Sequence, residues 1–215
     1  MFRPAWLLAP FHVAALATGA KSFRDNPIIG SPALNEGGLH VRRMRLAQAM
    51  ADARRRRLAH LITARDAADF ARDGFLVKPS FLSPGVFEEL RREALSRPLP
   101  ARDMIQGDAV TRRVALDAKT LAHLPATRAL VANPEWLGLI RYVGSSYLAP
   151  LAYVQTVFSR IRPHAVDPQT RLHSDTFHSS VKAWLFLTDV GEDEGPFVYV
   201  LGSHLLTPRR LAWER

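Results

Sequence analysis

The stretch KAWLFLTDVGEDEGPFVYVLGSH, residues 182–204, is the part of this sequence that decides its fold class. Residues 180–190 alternate in the way that places every second side chain on the same face of a strand. Residues 191–195 are acidic and bounded by glycines, which is typical of a turn, and residues 197–201 form a second apolar run. The stretch therefore predicts two strands, 180–188 and 197–201. The two faces of the first strand would carry Val181, Ala183, Leu185 and Leu187 on one side and Lys182, Trp184, Phe186 and Thr188 on the other.

Further elements are predicted on the N-terminal side of this stretch. Alternating patterns predict strands at 75–77, 110–117 and 152–161. Helical periodicity, together with the start signals Ser83-Pro84 and Asn133-Pro134, predicts helices at 41–62, after 64, after Ser83 and at 133–147. Because helices dominate the first part and strands the last, the predicted fold is α+β with an antiparallel sheet or barrel.

The positive charge of the chain is concentrated near its N-terminus. The formal net charge is +9, and residues 1–62 hold 10 Lys and Arg against 3 Asp and Glu. We therefore expect a basic N-terminal extension of helix and loop, residues 1–62, and a main domain, residues 63–215. Arg54 to Arg57 lie in the helix predicted at 41–62, where they indicate either a solvated face or a contact with anionic lipid or phosphate. The apolar side of that helix is predicted to consist of Leu46, Met50, Ala53, Leu58, Leu61 and Ile62.

The apolar run at residues 1–23 invites comparison with a signal peptide. Pro4, Pro10 and His12 interrupt it, and it is too short to cross a bilayer. We expect a packed or interfacial segment there rather than a cleaved signal. The expected location is cytoplasmic, peripheral to a membrane at most, and weak contact with an anionic membrane is expected in preference to nucleic acid binding.

A second stretch, RLHSDTFHSS at 171–180, carries the residues that could perform chemistry. His173 and Asp175 lie two apart, so in extended chain their side chains would point the same way. The sequence has no Cys, so a metal site here would use imidazole and carboxylate ligands. The spacing alone leaves two alternatives open, half of a metal site or a polar surface turn.

Three stretches together resemble one family. They are FARDGFLVKPSFLSPGVFEELRREA at 70–94, HSD at 173–175 and the stretch at 182–204, and the resemblance covers about residues 66–207. In order and spacing they are similar to the phytanoyl-CoA dioxygenase family of iron(II)- and 2-oxoglutarate-dependent oxygenases, which includes relatives of ectoine hydroxylase. Linked motifs of this kind are far more specific than a single His-x-Asp pair.

The resemblance implies a double-stranded β-helix, a jelly-roll fold, with N-terminal helices. It also implies an enzyme that uses Fe(II), 2-oxoglutarate and, as a reductant, ascorbate to hydroxylate an aliphatic C–H bond of a small-molecule or acyl substrate. His173 and Asp175 would be metal ligands, and Gln155 would contact 2-oxoglutarate unless it is only a polar lining residue. Trp184 and Lys182 would line the substrate pocket, although a Trp on a strand is more often a core residue.

The sequence departs from the family pattern after the Gly-Ser-His turn. The family supplies its second His ligand and a cation for 2-oxoglutarate downstream of that turn, whereas this chain stops at Arg215. We therefore expect an incomplete β-helix that lacks its C-terminal strands, with exposed strand edges and low or no activity. The alternative function is a non-catalytic remnant or interaction domain. His164, His178 and His204 are the local candidates for a replacement ligand, and each is expected instead to be a hydrogen-bonding loop histidine.

Overall fold

The structure, a computed structural model, describes residues 9–15, 23–159, 161 and 167–214. Most of its regular structure is helical. The helices are α1 Ala9–Ala14, α2 Pro32–Leu34, α3 His40–Leu58, α4 Ala64–Asp73, α5 Pro84–Ser96, α6 Ala118–Leu121, α7 Pro125–Val131, α8 Pro134–Gly144 and α9 Pro208–Trp213. Single turns of π- or 3-10 helix also occur at Asn35–Leu39, Ala59–Leu61, Pro168–Thr170 and Glu192–Glu194.

Three strands form a small antiparallel sheet in the order β1-β2-β3. The strands are β1 Arg102–Gln106, β2 Ala109–Ala115 and β3 Tyr153–Phe158. Gln106 pairs with Ala109, so the first two strands are joined by a two-residue turn, and Gly107 takes the positive φ of 57° that such a turn requires. This mixture of helices with a small antiparallel sheet is compatible with the α+β class. A complete double-stranded β-helix is not formed by the residues that the structure describes.

Two of the predicted strands are confirmed and three are wrong. The strands predicted at 110–117 and 152–161 correspond to β2 and β3. Residues 75–77, 180–188 and 197–201 form no strand. Alternation shows which side chains can share a face, but a strand also needs a neighbouring strand for its backbone. Here the helices provide partners instead: Arg91 Nε donates to the carbonyl of Leu187 at 3.0 Å, and the Gly202 N–H donates to the carbonyl of Asp73 at 2.9 Å.

The helix start signals are confirmed by the structure. Helix α5 begins at Pro84 and α8 at Pro134, one residue after the predicted caps. The side chain of Asn133 accepts a hydrogen bond from the Trp136 N–H at 3.0 Å, which satisfies one of the free amides of the first turn. Thr63 caps α4 in the same way, accepting from the Asp66 N–H at 3.1 Å.

The buried side of α3 differs from the predicted one. Helix α3 packs against α8, and its buried residues are Met44, Ala51 and Leu58. Of the predicted apolar side, Leu58 is buried, whereas Leu46 and Met50 are 59% and 52% exposed. The prediction was wrong because it assumed that arginines face water. Part of the inward side of this helix is occupied by Arg54 and Arg55, whose guanidinium groups donate hydrogen bonds to Ser145 and Ser179.

The predicted division of the chain at residues 62 and 63 stays a prediction. The apolar run at 1–23 lies outside the described residues, except for residues 9–15 and Phe23. In the part of the chain that is described, no helix is long and apolar enough to cross a membrane.

Candidate metal site

The loop that carries His173 and Asp175 follows a short capped turn. Asp167 begins this turn, and its carboxylate accepts a hydrogen bond from the Gln169 N–H at 2.8 Å. Proline at the next position fits the first residue of such a turn. The chain then leaves the turn at Arg171, whose backbone is extended with φ −89° and ψ 140°. This geometry brings the carbonyl of Arg171 against the ring of His173.

The imidazole of His173 is oriented by that carbonyl. Nδ1 lies 2.7 Å from the carbonyl oxygen of Arg171, and because a carbonyl only accepts, Nδ1 carries the proton. In the neutral ring the lone pair is therefore on Nε2. In metal-binding histidines, a hydrogen bond from the nitrogen that does not bind the metal usually fixes the tautomer in this way.

Nε2 of His173 faces the carboxylate of Asp175. The distance from Nε2 to Oδ1 is 3.5 Å, and each side chain is about 40% exposed. With a neutral ring both atoms are electron-pair donors, so a proton or a cation between them would be favourable. Two such donors bound at right angles to one divalent ion, each about 2.1 Å away, lie about 3 Å apart. The pair therefore fits two positions of a metal site after a small approach.

Lys182 lies on the other oxygen of the same carboxylate. Its Nζ is 2.7 Å from Oδ2 of Asp175, a charge-assisted hydrogen bond between two half-exposed side chains. The structure thus brings together three of the predicted site residues, His173, Asp175 and Lys182. Because the lysine compensates the carboxylate charge, it opposes the binding of any further cation there.

The loop is also held by a residue that the sequence did not indicate. Arg210 of α9 donates from Nη2 to the hydroxyl of Ser174 at 3.1 Å. The same guanidinium pairs with Glu214 and lies 4.8 Å from the centre of the Trp213 ring. The signal for α9 was present as Thr207-Pro208, a cap followed by proline at the first helical position. No local pattern indicates that its arginine reaches residue 174.

Gln155 lies on the sheet, opposite Arg113. Its Oε1 accepts a hydrogen bond from Arg113 Nε at 2.8 Å, and the two residues are register partners across β2 and β3. The guanidinium of Arg113 also lies 5.8 Å from the centre of the Tyr153 ring. The side-chain NH₂ group of Gln155 therefore lies beside a cation. The sequence did not indicate Arg113, because which residue of another strand would pair with Gln155 could not be assigned.

Trp184 stacks on an aromatic side chain that follows the acidic turn. Its ring centre lies 4.5 Å from that of Phe197, with 38° between the planes, and Trp184 is 42% exposed. The two segments predicted as strands thus meet through side chains although neither is a strand. A half-exposed pair of rings of this kind can line a cavity as readily as cover a core.

Two of the other candidate histidines, His178 and His204, have ring contacts of their own. His178 contacts the carbonyl of Ser179 at 3.2 Å and the ring of Phe177, with 5.2 Å between ring centres. The ring of His204 lies 5.3 Å from that of Phe70 between centres, and burial lowers the pKa of this histidine. His164 lies outside the described residues.

No third ligand joins the pair within the part of the chain that the structure describes. Among those residues, no group of three or more His, Asp and Glu side chains could hold a metal ion. A cavity of about 390 Å³ lies near the end of the loop and includes Ser179 in its lining. The other lining residues are Arg54, Gly144, Ser145, Ser146, Tyr147 and Leu148. The lining includes none of the predicted site residues.

Comparison with known proteins identifies the family. The family model for phytanoyl-CoA dioxygenase matches residues 70–215, which is more than half of the chain. No curated protein and no solved structure matches the chain. Enzymes of this family are oxygenases that generally use Fe(II) and 2-oxoglutarate. By the match to residues 70–215, the chain belongs to the phytanoyl-CoA dioxygenase family.

Proposed function

We propose that the protein is an Fe(II)- and 2-oxoglutarate-dependent oxygenase that hydroxylates an aliphatic C–H bond of a small-molecule or acyl substrate. The observation that carries this proposal is the pairing of His173 and Asp175. The Nδ1–H bond to Arg171 leaves the Nε2 lone pair directed at a carboxylate oxygen 3.5 Å away. An imidazole and a carboxylate are two of the three ligands in the facial triad of non-haem iron oxygenases, which consists of two histidines and one carboxylate.

His173 and Asp175 would hold the iron in this proposal. Bound iron supplies the activation of dioxygen, coupled to the oxidation of 2-oxoglutarate to succinate and carbon dioxide. The residues of the chain would bind the metal, orient the ligands and shield the site from water. Asp175 supplies the negative charge and the carbonyl of Arg171 fixes the imidazole tautomer, whereas Lys182 compensates part of the carboxylate charge through the second oxygen.

Gln155 is proposed to contact 2-oxoglutarate together with Arg113. The amide oxygen of Gln155 is already bonded to Arg113, so its NH₂ group remains the part that can donate to a carboxylate. The guanidinium adds the positive charge that a dicarboxylate needs. Trp184 and Lys182 are proposed to face the organic substrate. Because only two ligands are assigned among the described residues, we expect weak metal binding and slow turnover.

Metal titration tests the proposal. Isothermal titration of the apo-protein with Mn(II) as a stand-in for Fe(II) should give one site, and His173→Ala or Asp175→Ala should lower its affinity at least tenfold. The matched controls are His123→Ala and Asp189→Ala, which change exposed residues elsewhere and should leave the affinity unchanged. Succinate formation with Fe(II), 2-oxoglutarate and ascorbate should fall in His173→Ala and Asp175→Ala and stay unchanged in the two controls. Equal Mn(II) affinity in all four variants would show that His173 and Asp175 do not bind the metal.

A second function, contact with an anionic membrane surface, is favoured by the outward face of α3. The outward face is the side of the helix opposite the buried residues Met44, Ala51 and Leu58, as judged from a rotation of 100° per residue. It carries Leu46 and Met50, both more than half exposed. Its basic residues, all exposed, are Arg42, Arg45, Arg56 and Arg57. Arginines around exposed aliphatic side chains are typical of helices that lie in a lipid headgroup layer.

Acidic residues within α3, all of which the structure describes, compensate little of the charge of this face. Asp52 is the one acidic residue of α3, and its carboxylate is bonded to Arg55 at 3.1 Å and to Gln48 at 2.9 Å. We propose that the occupant of the face is the anionic headgroup layer of a membrane. Each arginine near such a surface contributes about 1 kcal/mol, and salt weakens the contribution.

Vesicle sedimentation distinguishes this contact from other occupants. Binding to vesicles of phosphatidylcholine and phosphatidylglycerol should fall about thirtyfold at low salt in the double variant Arg56→Gln/Arg57→Gln, which removes two contributions of about 1 kcal/mol each. It should also fall in 0.5 M salt and be absent with pure phosphatidylcholine. The control is Arg65→Gln, an exposed arginine on α4. Equal binding to neutral and anionic vesicles, or self-association through Leu46 and Met50 without lipid binding, would refute the proposal.

A further inference from the structure

The inward face of α3 directs two arginines at the loop that carries the His-Asp pair. Arg55 donates from Nη2 to the hydroxyl of Ser179 at 2.7 Å and to the carbonyl of Val143 at 3.0 Å. Its Nη1 donates to Asp52 at 3.1 Å, and the guanidinium lies 4.9 Å from the centre of the Phe70 ring. The side chain is only 12% exposed. One buried cation thus joins α3, α4, α8 and the end of the loop.

Arg43 contacts the same loop three helical turns earlier. Its guanidinium lies 4.9 Å from the centre of the Phe177 ring and 5.7 Å from that of Phe23. The two rings are themselves in contact, with 5.4 Å between their centres. Phe23 is 8% exposed, so the loop residue Phe177 is anchored to a buried aromatic side chain and a cation at once.

A short series of hydrogen bonds links these anchors to the candidate ligands. The hydroxyl of Ser174 donates to the carbonyl of Thr176 at 3.2 Å, and the hydroxyl of Thr176 donates to the carbonyl of His178 at 2.7 Å. Ser174 lies between His173 and Asp175, and His178 lies between Phe177 and Ser179. A shift at 177–179 is therefore transmitted to the residues on both sides of Asp175.

We propose that Arg43 and Arg55 are positioning residues, which hold residues 177–179 and thereby fix the approach of His173 Nε2 to Asp175 Oδ1. The inference rests on the proposed metal function of that pair. Both arginines precede residue 70, where the family match begins, so the family pattern does not include them. Part of the candidate metal site is therefore supported by the basic helix and not by the family motifs.

The test measures the loop and the metal separately. Hydrogen–deuterium exchange of the metal-free protein reports on peptides that cover 171–182, and Co(II) absorption reports on the ligand geometry. Arg55→Met should raise exchange in these peptides, lower Co(II) affinity about tenfold and change the visible spectrum. Arg55→Lys, which keeps the cation over Phe70, should recover part of each effect. Arg56→Met is the matched control, because it removes an exposed arginine from the same turn.

A milder pair of variants keeps the test decisive if Arg55→Met unfolds. Ser179→Ala removes one hydrogen bond and leaves the other contacts of Arg55 in place, and Phe177→Leu removes the ring under Arg43. Each should raise exchange at 171–182 with little change in the unfolding midpoint. Unchanged exchange and an unchanged Co(II) spectrum in both variants would overturn the positioning role. A wild-type protein that binds no Co(II), while exchange still rises in the variants, would refute the proposed function and leave the loop support intact.

Discussion

The chain before residue 150 and the chain after it are built differently. Of the twelve buried hydrophobic residues in the described parts, eleven lie between Phe23 and Ile140, and the twelfth is Leu211 of α9. Of the 27 exposed large hydrophobic residues, 15 lie at Leu151 or beyond. The N-terminal part therefore provides most of the core, whereas the C-terminal part carries the His-Asp pair and the stretch 182–204.

The difference shows how motif-bearing segments can be ordered without a core of their own. The Gly-Ser-His turn is tied to α4: the Gly202 N–H bonds to Asp73, and His204 stacks on Phe70. Tyr199 contacts Phe75 at 5.6 Å between ring centres. The C-terminal part is thus held through contacts with the helical part, and four predictions test this comparison.

The largest effect is expected from Glu93, inside the helical frame. This carboxylate is 8% exposed and accepts hydrogen bonds from the Ala126 N–H, the Thr127 N–H and the Thr127 hydroxyl at 2.9 to 3.0 Å. Glu93→Ala leaves these donors of α7 without a partner and should lower the free energy of unfolding by about 3 kcal/mol. Urea denaturation measures the change. Glu89→Ala, on the exposed side of α5, should stay within about 0.5 kcal/mol of wild type.

The pH dependence of stability follows from the same residue. Burial opposes ionisation of Glu93, but the hydrogen bonds from Ala126 and Thr127 outweigh it and lower the pKa of the carboxyl. A lowered pKa in the folded state contributes stability above the unfolded value of about 4.3 and loses it as the pH falls through the folded value. The stability difference between wild type and Glu93→Gln should therefore shrink between about pH 5 and pH 3. A difference that is constant over this range would show that ionisation of Glu93 is not coupled to folding.

A smaller effect is expected where the two parts meet, at Gly74. This residue ends α4 with a φ of 85°, and an added Cβ would lie 2.7 Å from the Tyr199 hydroxyl oxygen and also against the His204 ring. Gly74→Ala should lower the free energy of unfolding by about 1–3 kcal/mol and raise hydrogen exchange at 197–205 more than in α8. Gly85→Ala is the control, because its Cβ would meet nothing within 4 Å. If hydrogen exchange in Gly74→Ala rose equally at 197–205 and in α8, the C-terminal part would not depend on this contact more than the helical part does.

The smallest effect is expected from Lys182 in the C-terminal part. Removing its charge from Asp175 should raise Mn(II) affinity about threefold in Lys182→Met, the size typical of exposed ion pairs. The thermal midpoint should not change, because the pair is half exposed. Arg171→Met, which removes a cation two residues before His173 in the sequence but keeps the carbonyl bonded to that ring, is the matched comparison. A fall in affinity would assign Lys182 a supporting role at the metal instead.

The two parts also differ in how far the sequence predicts them. Helices α5 and α8 were predictable because Pro84 and Pro134 follow cap residues, and these signals are local. The β1–β2 hairpin was missed although Gly107-Asp108 is a recognised two-residue turn signal. The strands at 180–188 and 197–201 were predicted wrongly, since alternation in one segment does not specify which segment will pair with it.

The candidate site shows the same limit. The proximity of His173 and Asp175 follows from their spacing. The contacts of Arg55 with Ser179, Arg210 with Ser174 and Arg113 with Gln155 join residues 124, 36 and 42 positions apart. No local pattern predicts pairs at such separations. The inward arginines of α3 were misplaced for a related reason, because burial of a guanidinium requires partners that only the folded chain provides.

The 124-residue separation of Arg55 and Ser179 also has a consequence for synthesis on the ribosome. At about 5–20 residues per second, Ser179 is added about 6 to 25 s after Arg55. Contacts of high sequence separation form late, so α3 can be complete before the loop that it supports exists. Errors of late folding should therefore concentrate in the loop at 171–180, and slowing translation between these two positions should alter the yield of correctly docked loop more than that of α3.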